Sequence, residues 1–247
     1  MELDIFKKIK YSNLSYKQKI ELAKTISDEI YFTYENIGKR KVKLDNEFLR
    51  NLIENELFII LNIYYPKCIK LIDFEGFSFD GLNIAGKDFS HTNANIDPQK
   101  ILGKSLYYTN LEGINLSDKN FDGVFIEGAN LYDTKANIDP QLIKEKSLFD
   151  TNLKGLNLRG KSLKDVDIRN SNLEDTCAKI IISELVKNNK KEHPLHKTKI
   201  KNCRVYKGDT NSVLDNLYII SCSLKGNITS FDKEKMVELK RELRRKI

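Results

Sequence analysis

Residues 106–136 read LYYTNLEGINLSDKNFDGVFIEGANLYDTKA, and an apolar side chain stands at every fifth position of this stretch. An α-helix places apolar residues about 3.6 positions apart and a half-buried strand places them two apart, so a five-residue period fits neither element. A period of this kind indicates a repeat architecture in which each short unit buries one residue. We call these residues centres: Leu106, Leu111, Leu116, Phe121, Ile126, Leu131 and Ala136.

The same period extends in both directions, from Phe74 to Ala178. Only Ile101 and Ile143 break it, because each lies seven residues after the previous centre, and each long step is therefore a two-residue insertion. The insertions are alike: residues 97–99 and 139–141 both read Asp-Pro-Gln, 42 residues apart. The register places both at one corner of the repeat, where Asp followed by Pro predicts a short helical turn with Asp as its N-cap. We regard this corner as a candidate interaction edge formed by Asp97, Pro98, Gln99, Asp139, Pro140 and Gln141.

The residues beside the centres repeat as well. A small polar residue such as Asn110 usually precedes the centre, and glycine such as Gly113 often stands two positions after it. The segments Asn-Leu-Glu-Gly at 110–113 and Ala-Asn-Leu-Tyr-Asp at 129–133 resemble the motif of the pentapeptide-repeat family. The resemblance covers roughly residues 71–178. It implies a mainly β fold, a right-handed quadrilateral β-helix with four units per coil and the centres pointing inward.

Counting four units per round predicts four inward columns, each named here by its first member. They are Phe89, Leu111, Leu131, Leu153 and Leu173; Ile84, Leu106, Ile126, Leu148 and Ile168; Phe79, Ile101, Phe121, Ile143 and Leu163; and Phe74, Ala94, Leu116, Ala136, Leu158 and Ala178.

Lysine often stands two positions before a centre, where the family normally has a small inward residue. An unpaired buried ammonium is costly, so we expect these lysines to lie at corners and reach water. The alternative is that they pair with carboxylates or a ligand. The residues are Lys87, Lys104, Lys119, Lys146 and Lys161.

The segment 1–70 is expected to be an α-helical N-terminal cap. Apolar spacing predicts one helix over 15–37, stopped by Gly38, and a second over 44–65, ended by Pro66. Such helices would cover the unpaired edge of the first repeat, and a partner-binding helical domain is the alternative.

The segment 179–247 reads as degenerate repeats, a basic loop and a C-terminal amphipathic α-helix. Val205 and Leu224 are expected to be eroded centres, with Cys203 and Cys222 inward and 187–201 as the loop. The final helix, from about 232, has an apolar stripe that suits dimerisation or capping: Met236, Leu239, Leu243 and Ile247. Its basic side chains are candidate anion contacts: Lys240, Arg241, Arg244 and Arg245.

Composition narrows the class of protein. The chain has 247 residues and a formal net charge of +7, and no run of eighteen apolar residues that would predict a membrane span. The N-terminus lacks the pattern of a signal peptide, and the four cysteines show no CxxC spacing, so a cytoplasmic location is expected. His193 and His196 alone do not make a metal site, and no catalytic or phosphate-loop motif is present. We therefore expect no enzyme activity, no metal and no cofactor.

Three functions remain open on sequence. The leading hypothesis is a non-catalytic protein–protein interaction scaffold. Some members of the family resemble DNA in shape and charge, bind DNA gyrase and dimerise through a C-terminal helix, so the resemblance implies a gyrase-binding protein as an alternative. Residues 71–178 carry 12 basic and 17 acidic side chains, a weak charge for a DNA mimic. Residues 179–247 carry 17 basic and 8 acidic side chains, which makes binding of nucleic acid or another anionic surface the third hypothesis.

Overall fold

A computed structural model describes residues 13–186 and 193–206 of the chain. Helices occupy its first part: α1 Tyr16–Asn36, α2 Asn46–Glu54, α3 Glu56–Tyr64 and α4 Pro66–Leu71. The strands are short: β1 Val42–Lys43, β2 Ile72–Asp73, β3 Lys179–Ile181 and β4 Arg204–Tyr206. Three 3₁₀ turns lie at Leu102–Lys104, Lys144–Lys146 and Ile182–Glu184. The expected C-terminal helix lies outside the described residues.

The N-terminal helices begin where side chains satisfy their free amides. Ser15 and Gln18 form a reciprocal capping box on α1, and Asp45 accepts from two amides of α2. The second predicted helix is divided in two, because Asn55 adopts an extended conformation between α2 and α3. Pro66 does not end the helical segment but begins α4, since the first position of a helix needs no N–H donor.

The expectation of a mainly β fold, a right-handed quadrilateral β-helix, is wrong. Of the described residues, 29% are helical and 11% are strand. The strands of this part form only two parallel pairs, β1 with β2 and β3 with β4, and the repeats between them make isolated bridges and no closed or continuous sheet. The cause is local: the chain turns two residues after most centres, often with positive φ as at Gly113 and Asp133, so few residues of a unit can pair.

Consecutive rounds of four units, which we call layers, lie side by side. Asn110 bridges in parallel to Asp88 on one side and to Asn130 on the other. The amide of Leu111 donates to the carbonyl of Asn130 at 2.9 Å, and the amide of Leu131 donates to that of Asn152 at 2.9 Å. Each layer therefore satisfies backbone groups of the next one, 20 or 22 residues along the chain.

The predicted burial of the centres is confirmed. Every centre from Phe74 to Ala178 is buried, and none is more than 5% exposed. The position two before the centre also points inward in many units, where Thr109, Val124 and Thr151 are buried. The Thr109 hydroxyl donates to the carbonyl of Ile84 in the previous layer at 3.0 Å, so the small inward residues also join layers.

The register continues beyond Ala178. Leu185 is buried seven residues later. The backbone amide of Asp165 donates to the carbonyl of Glu184 at 2.7 Å, just as the amide of Gly123 donates to the carbonyl of Leu142 at 2.8 Å. Residues 178–185 thus form a third insertion corner, 42 residues after the second, in which Ile182 is buried where the earlier corners have proline.

Residues 193–206 belong to a further layer, although residues 187–201 were expected to form a loop. Leu195, Ile200 and Val205 are buried five residues apart. The backbone amide of Leu173 donates to the carbonyl of Lys199 at 2.8 Å, and the backbone amide of Arg204 donates to the carbonyl of Ala178 at 2.9 Å, so this layer lies on the previous one. The expectation that Val205 is a buried centre and Cys203 points inward is confirmed. Leu224 and Cys222 lie outside the described residues.

Side chains of the N-terminal helices bind the first layer. Asn62 of α3 accepts from the amide of Asp88 at 3.1 Å and donates to its carbonyl at 2.9 Å, as a backbone neighbour would. Arg50 of α2 donates to the carbonyls of Ser78 and Asp80, and the ring of Phe58 lies 4.8 Å from that of Phe89. These contacts occupy an edge that would otherwise be unpaired.

The five lysines before the centres have different surroundings. Lys104 is exposed, whereas Lys119 donates to Asn95 Oδ1 at 2.7 Å and Lys146 donates to Gln141 Oε1 at 3.0 Å. Lys161 lies 4.0 Å from Asp139 Oδ2. Lys87 departs furthest from the expected solvated corner: it is 6% exposed, and its Nζ donates to the carbonyl of Asn83 at 2.9 Å.

We expect Leu131→Ala to lower the free energy of unfolding by about 2–5 kcal/mol, because it removes a fully buried centre and leaves a cavity. Leu142→Ala is the matched control, since Leu142 is 52% exposed and its truncation should cost less than about 0.5 kcal/mol. Urea unfolding followed by circular dichroism measures both. Equal losses for the two variants would contradict the inward position of the centres.

We expect Lys87→Met to raise the melting temperature at pH 7, because burial lowers the pKa of Lys87 and so its charged form destabilises the fold. A lysine whose pKa is lowered by folding binds fewer protons in the folded state than in the unfolded one. Stability of the native chain should therefore rise between its lowered pKa and about 10.4, the unfolded value, and the advantage of the variant should shrink over that window. Thermal melts of both proteins from neutral to alkaline pH test this, and a constant difference would contradict it.

Candidate functional site

The insertion corner is built as a turn closed by an aspartate. Asp97 Oδ1 accepts from the amide of Gln99 at 3.0 Å, and the carbonyl of Asp97 accepts from the amide of Lys100 at 3.0 Å. In the second copy Asp139 Oδ1 accepts from Gln141 at 3.0 Å. The expected helical turn is thus a hydrogen-bonded turn, with 3₁₀ turns following at Leu102–Lys104 and Lys144–Lys146.

The polar side chains of the candidate edge are largely bonded inside the chain. Gln99 Nε2 donates to the carbonyls of Asn120 at 3.2 Å and Asp122 at 2.8 Å in the next layer. Gln141 Nε2 repeats this with the carbonyls of Ser162 at 3.1 Å and Lys164 at 2.8 Å.

The two prolines of the edge, Pro98 and Pro140, are buried. The side chains that the corner offers to a partner are instead its neighbours, the exposed Leu102 and Leu142.

A glutamine that joins two layers should contribute to stability. We expect Gln141→Ala to cost about 1 kcal/mol of unfolding free energy. Gln141→Glu should cost more, because the oxygen in the place of Nε2 would face two carbonyl oxygens, although the other oxygen keeps its bond from Lys146. Asn137→Ala, at an exposed position of the same corner, is the control and should change stability by less than about 0.5 kcal/mol. Denaturant unfolding measures all three, and a Gln141→Glu protein as stable as the native one would contradict this role.

A second surface, which was not predicted from the sequence, lies outside the Ile84 column. We call Tyr107, Tyr108, Phe125 and Phe149 the aromatic patch. Tyr107 is 43% exposed and Tyr108 is 44% exposed. The rings of Tyr107 and Phe125 stack at 5.6 Å between centroids, and Tyr107 meets Tyr108 edge-on at 4.6 Å.

Two cations border the aromatic patch. Lys144 Nζ lies 5.8 Å from the centroid of the Phe125 ring, and the guanidinium of Arg169 lies 5.4 Å from that of Phe149. Arg169 also pairs with Asp167, which fixes the guanidinium beside the ring. Since Lys144 follows the second insertion corner, the aromatic patch and that corner are continuous.

The position of Tyr108 depends on a glycine in the next layer. A Cβ at Gly128 would lie 2.7 Å from three atoms of the Tyr108 ring, so the ring rests directly on that backbone. A hydrogen bond with Asp150 raises the pKa of Tyr108, and burial raises it further. Burial likewise raises the pKa of Glu127 in the same surface.

The register itself could have revealed the aromatic patch. Tyr107 and Phe149 follow centres of the Ile84 column, and Phe125 precedes one, so counting places all three side chains outside that column. The signal was missed because no repeated motif marks outward residues.

Two histidines and two cysteines considered in the sequence analysis have structural roles. His193 Nδ1 accepts from the amide of Leu195 at 3.1 Å, and His196 donates its amide to the carbonyl of His193 at 2.8 Å, so these histidines close a turn. No group of His, Cys, Asp and Glu within the described residues could hold a metal ion. Burial raises the pKa of Cys68 to about 12 and also raises that of Cys203, which keeps both thiols protonated at neutral pH.

The C-terminal candidates lie outside the described residues, and the structure does not place them: Met236, Leu239, Lys240, Arg241, Leu243, Arg244, Arg245 and Ile247. Among the helices that the structure describes, none has the length and apolar character needed to span a bilayer.

Comparison with known proteins supports one family. A family model of pentapeptide repeats, with eight copies, matches residues 147–179. The chain therefore contains pentapeptide repeats, as the sequence resemblance implied. The matched segment lies within a longer series of buried centres, which the structure shows from Phe74 to Leu185 and again from Leu195 to Val205. No curated protein and no solved structure matches the chain.

Proposed function

We propose that this pentapeptide-repeat protein is a non-catalytic protein–protein interaction scaffold, and that it contacts its partner through the aromatic patch. The observation that carries the proposal is the exposure of Tyr107 and Tyr108 beside Phe125 and Phe149 on a surface held by stacked layers. Tyrosine, phenylalanine and arginine are enriched at protein interfaces, and tyrosine is frequent among the few residues that carry most of the binding energy.

The geometry favours binding because the rings are ordered before a partner arrives. Tyr108 rests on Gly128 and bonds with Asp150, and Tyr107 stacks on Phe125. Side chains held in this way lose little conformational entropy on association. Lys144 lies beside Phe125, whereas Arg169 is buried and paired with Asp167, and Glu127 and Asp150 add carboxylates to the same surface. The border therefore carries both signs of charge, which suits a protein partner with polar groups of both signs around an apolar centre.

In this proposal the insertion edge contributes fewer contacts to the partner than the sequence suggested. Since Gln99 and Gln141 bond to the next layer, they serve the scaffold, and the edge contributes to binding through exposed Leu142 and through Lys144. The aromatic patch and the edge together would present one continuous surface.

The DNA-mimic hypothesis has less support from the repeats. Residues 71–134 carry 4 basic and 10 acidic side chains, whereas residues 135–178 carry 8 basic and 7 acidic side chains. A mimic of DNA needs negative charge along its length, and here that charge is confined to the first half. Gyrase binding therefore stays a prediction of the family resemblance, as does a homodimer formed through the C-terminal helix.

A matched pair of glycine variants tests the proposed surface. We expect Gly128→Ala to displace the Tyr108 ring and abolish partner binding, while Gly123→Ala preserves it. Both glycines have φ near +70°, so alanine is strained equally at each, but a Cβ at Gly123 meets no atom within 4 Å.

The measurement is quantitative affinity capture with the native protein and both variants, from cells of the source organism, after nuclease treatment. A protein retained by the native chain and by Gly123→Ala, lost with Gly128→Ala and rebound as a purified partner with the same order of affinities supports the proposal. Equal retention by both variants, or no specific protein at all, would overturn it.

A further inference from the structure

A row of cations lies outside the Phe74 column in its last four layers. Lys135 precedes the centre Ala136, Arg159 follows Leu158, Lys179 follows Ala178, and Arg204 precedes Val205. With Lys161 we call them the basic strip. Lys135, Arg159 and Lys161 line one groove of about 440 Å³, and Lys179 pairs with Arg204 in the register of β3 and β4. The strip thus runs across consecutive layers, each about 4.8 Å from the next.

The strip has little compensating negative charge. Among the described residues, Lys135, Arg159, Lys179 and Arg204 make no salt bridge, and Lys161 only approaches Asp139, at 4.0 Å. The nearest carboxylate along the chain before Lys135 is Asp133, at the preceding corner. The guanidinium of Arg159 and the ammonium of Lys135 are therefore free to bind an anion.

An internal comparison indicates that these cations are not needed by the repeat. The equivalent positions 42 residues earlier hold Asn93, Ser117 and Lys119 where the strip has Lys135, Arg159 and Lys161. Lys135 has φ of 57°, a conformation that asparagine tolerates better than lysine does. A layer thus forms without a cation at either position, although Asn93 does not share the positive φ of Lys135.

We propose that the basic strip binds the phosphate backbone of a nucleic acid, without regard to base sequence. Lysine and arginine in a row over four layers can each neutralise one phosphate of a linear chain. Each neutralised phosphate releases condensed counterions, and this release favours binding. A single small anion would gain little from such exposed cations, because solvent screens each one.

The character of the surface favours nucleic acid over other polyanions. The side chains between the cations are polar or small, including Asn137, Asn157 and Cys177, and Tyr206 is the one exposed aromatic side chain of the strip within the described residues. A protein interface would need an apolar centre and a membrane surface would need apolar side chains to insert, whereas interfaces with nucleic acid are polar and strongly positive.

Salt dependence of binding provides a quantitative test. Fluorescence anisotropy with a labelled DNA single strand and duplex of mixed sequence is followed between about 50 and 200 mM salt. Replacing Lys135→Asn and Arg159→Ser together should lower the slope of log K against log salt by about 1.4 for a single strand or about 1.8 for a duplex. The probe that binds more tightly, single strand or duplex, identifies the form of nucleic acid.

A control of equal charge separates the strip from the rest of the protein. Lys17→Gln with Lys24→Gln removes two exposed cations from α1 and should leave the slope nearly unchanged. Circular dichroism melts check that the strip variant folds, which is expected because asparagine tolerates the positive φ of position 135 and serine already stands at the equivalent of position 159 in the earlier layer. The aromatic patch is intact in both variants, so loss of nucleic-acid binding and loss of a protein partner can be told apart.

A second readout does not depend on affinity. Cys177 is an exposed thiol within the strip, whereas Cys68 and Cys203 are buried. DNA should slow alkylation of Cys177 by iodoacetamide in the native protein but not in the strip variant, measured on the Cys177 peptide by mass spectrometry. Unchanged slope and unchanged alkylation would overturn the proposal, as would absence of DNA binding at low salt or a preference for vesicles containing phosphatidylserine.

Discussion

The architecture depends on one constraint: every layer must satisfy the backbone of the layer beside it. One centre in each five-residue unit leaves the water, and in many units the amide of the centre donates to a carbonyl about one layer further along the chain, as that of Leu111 does to Asn130. An edge of such a stack has open donors and acceptors, so the first layer needs a partner of another kind. Asn62 supplies it with a side-chain amide that imitates a backbone neighbour.

How much of the molecule could be read from the sequence follows from the same constraint. The centres and the first two insertions were predictable, because burial demands apolar side chains and Asp-Pro-Gln is conspicuous. The third insertion was not, because Ile182 fills the buried site of Pro140 with unrelated chemistry. The mainly β fold, which the family resemblance implied, was a wrong inference, and the period of burial could not correct it because it reports which residues point inward and not how many pair in strands.

Outward residues escape sequence reasoning for a related reason. The repeat restricts its inward positions and leaves the outward ones free, so Tyr107 and Arg159 carry no motif of their own. Their grouping emerges only when the register is counted layer by layer. The aromatic patch lies outside the Ile84 column and the basic strip outside the Phe74 column, so one scaffold can offer two chemically different surfaces.

The insertion corners also bear on how a chain of near-identical units finds its alignment. Along the Phe89 column the steps from Phe89 to Leu111, Leu131, Leu153 and Leu173 alternate between 22 and 20 residues. A displacement by one layer would keep every centre inward, yet it would place a corner with the two-residue insertion beside a corner that lacks it. Gln99 or Gln141 would then lose the carbonyl oxygens to which its side chain donates. The insertions therefore act as alignment marks in a sequence that would otherwise tolerate slippage.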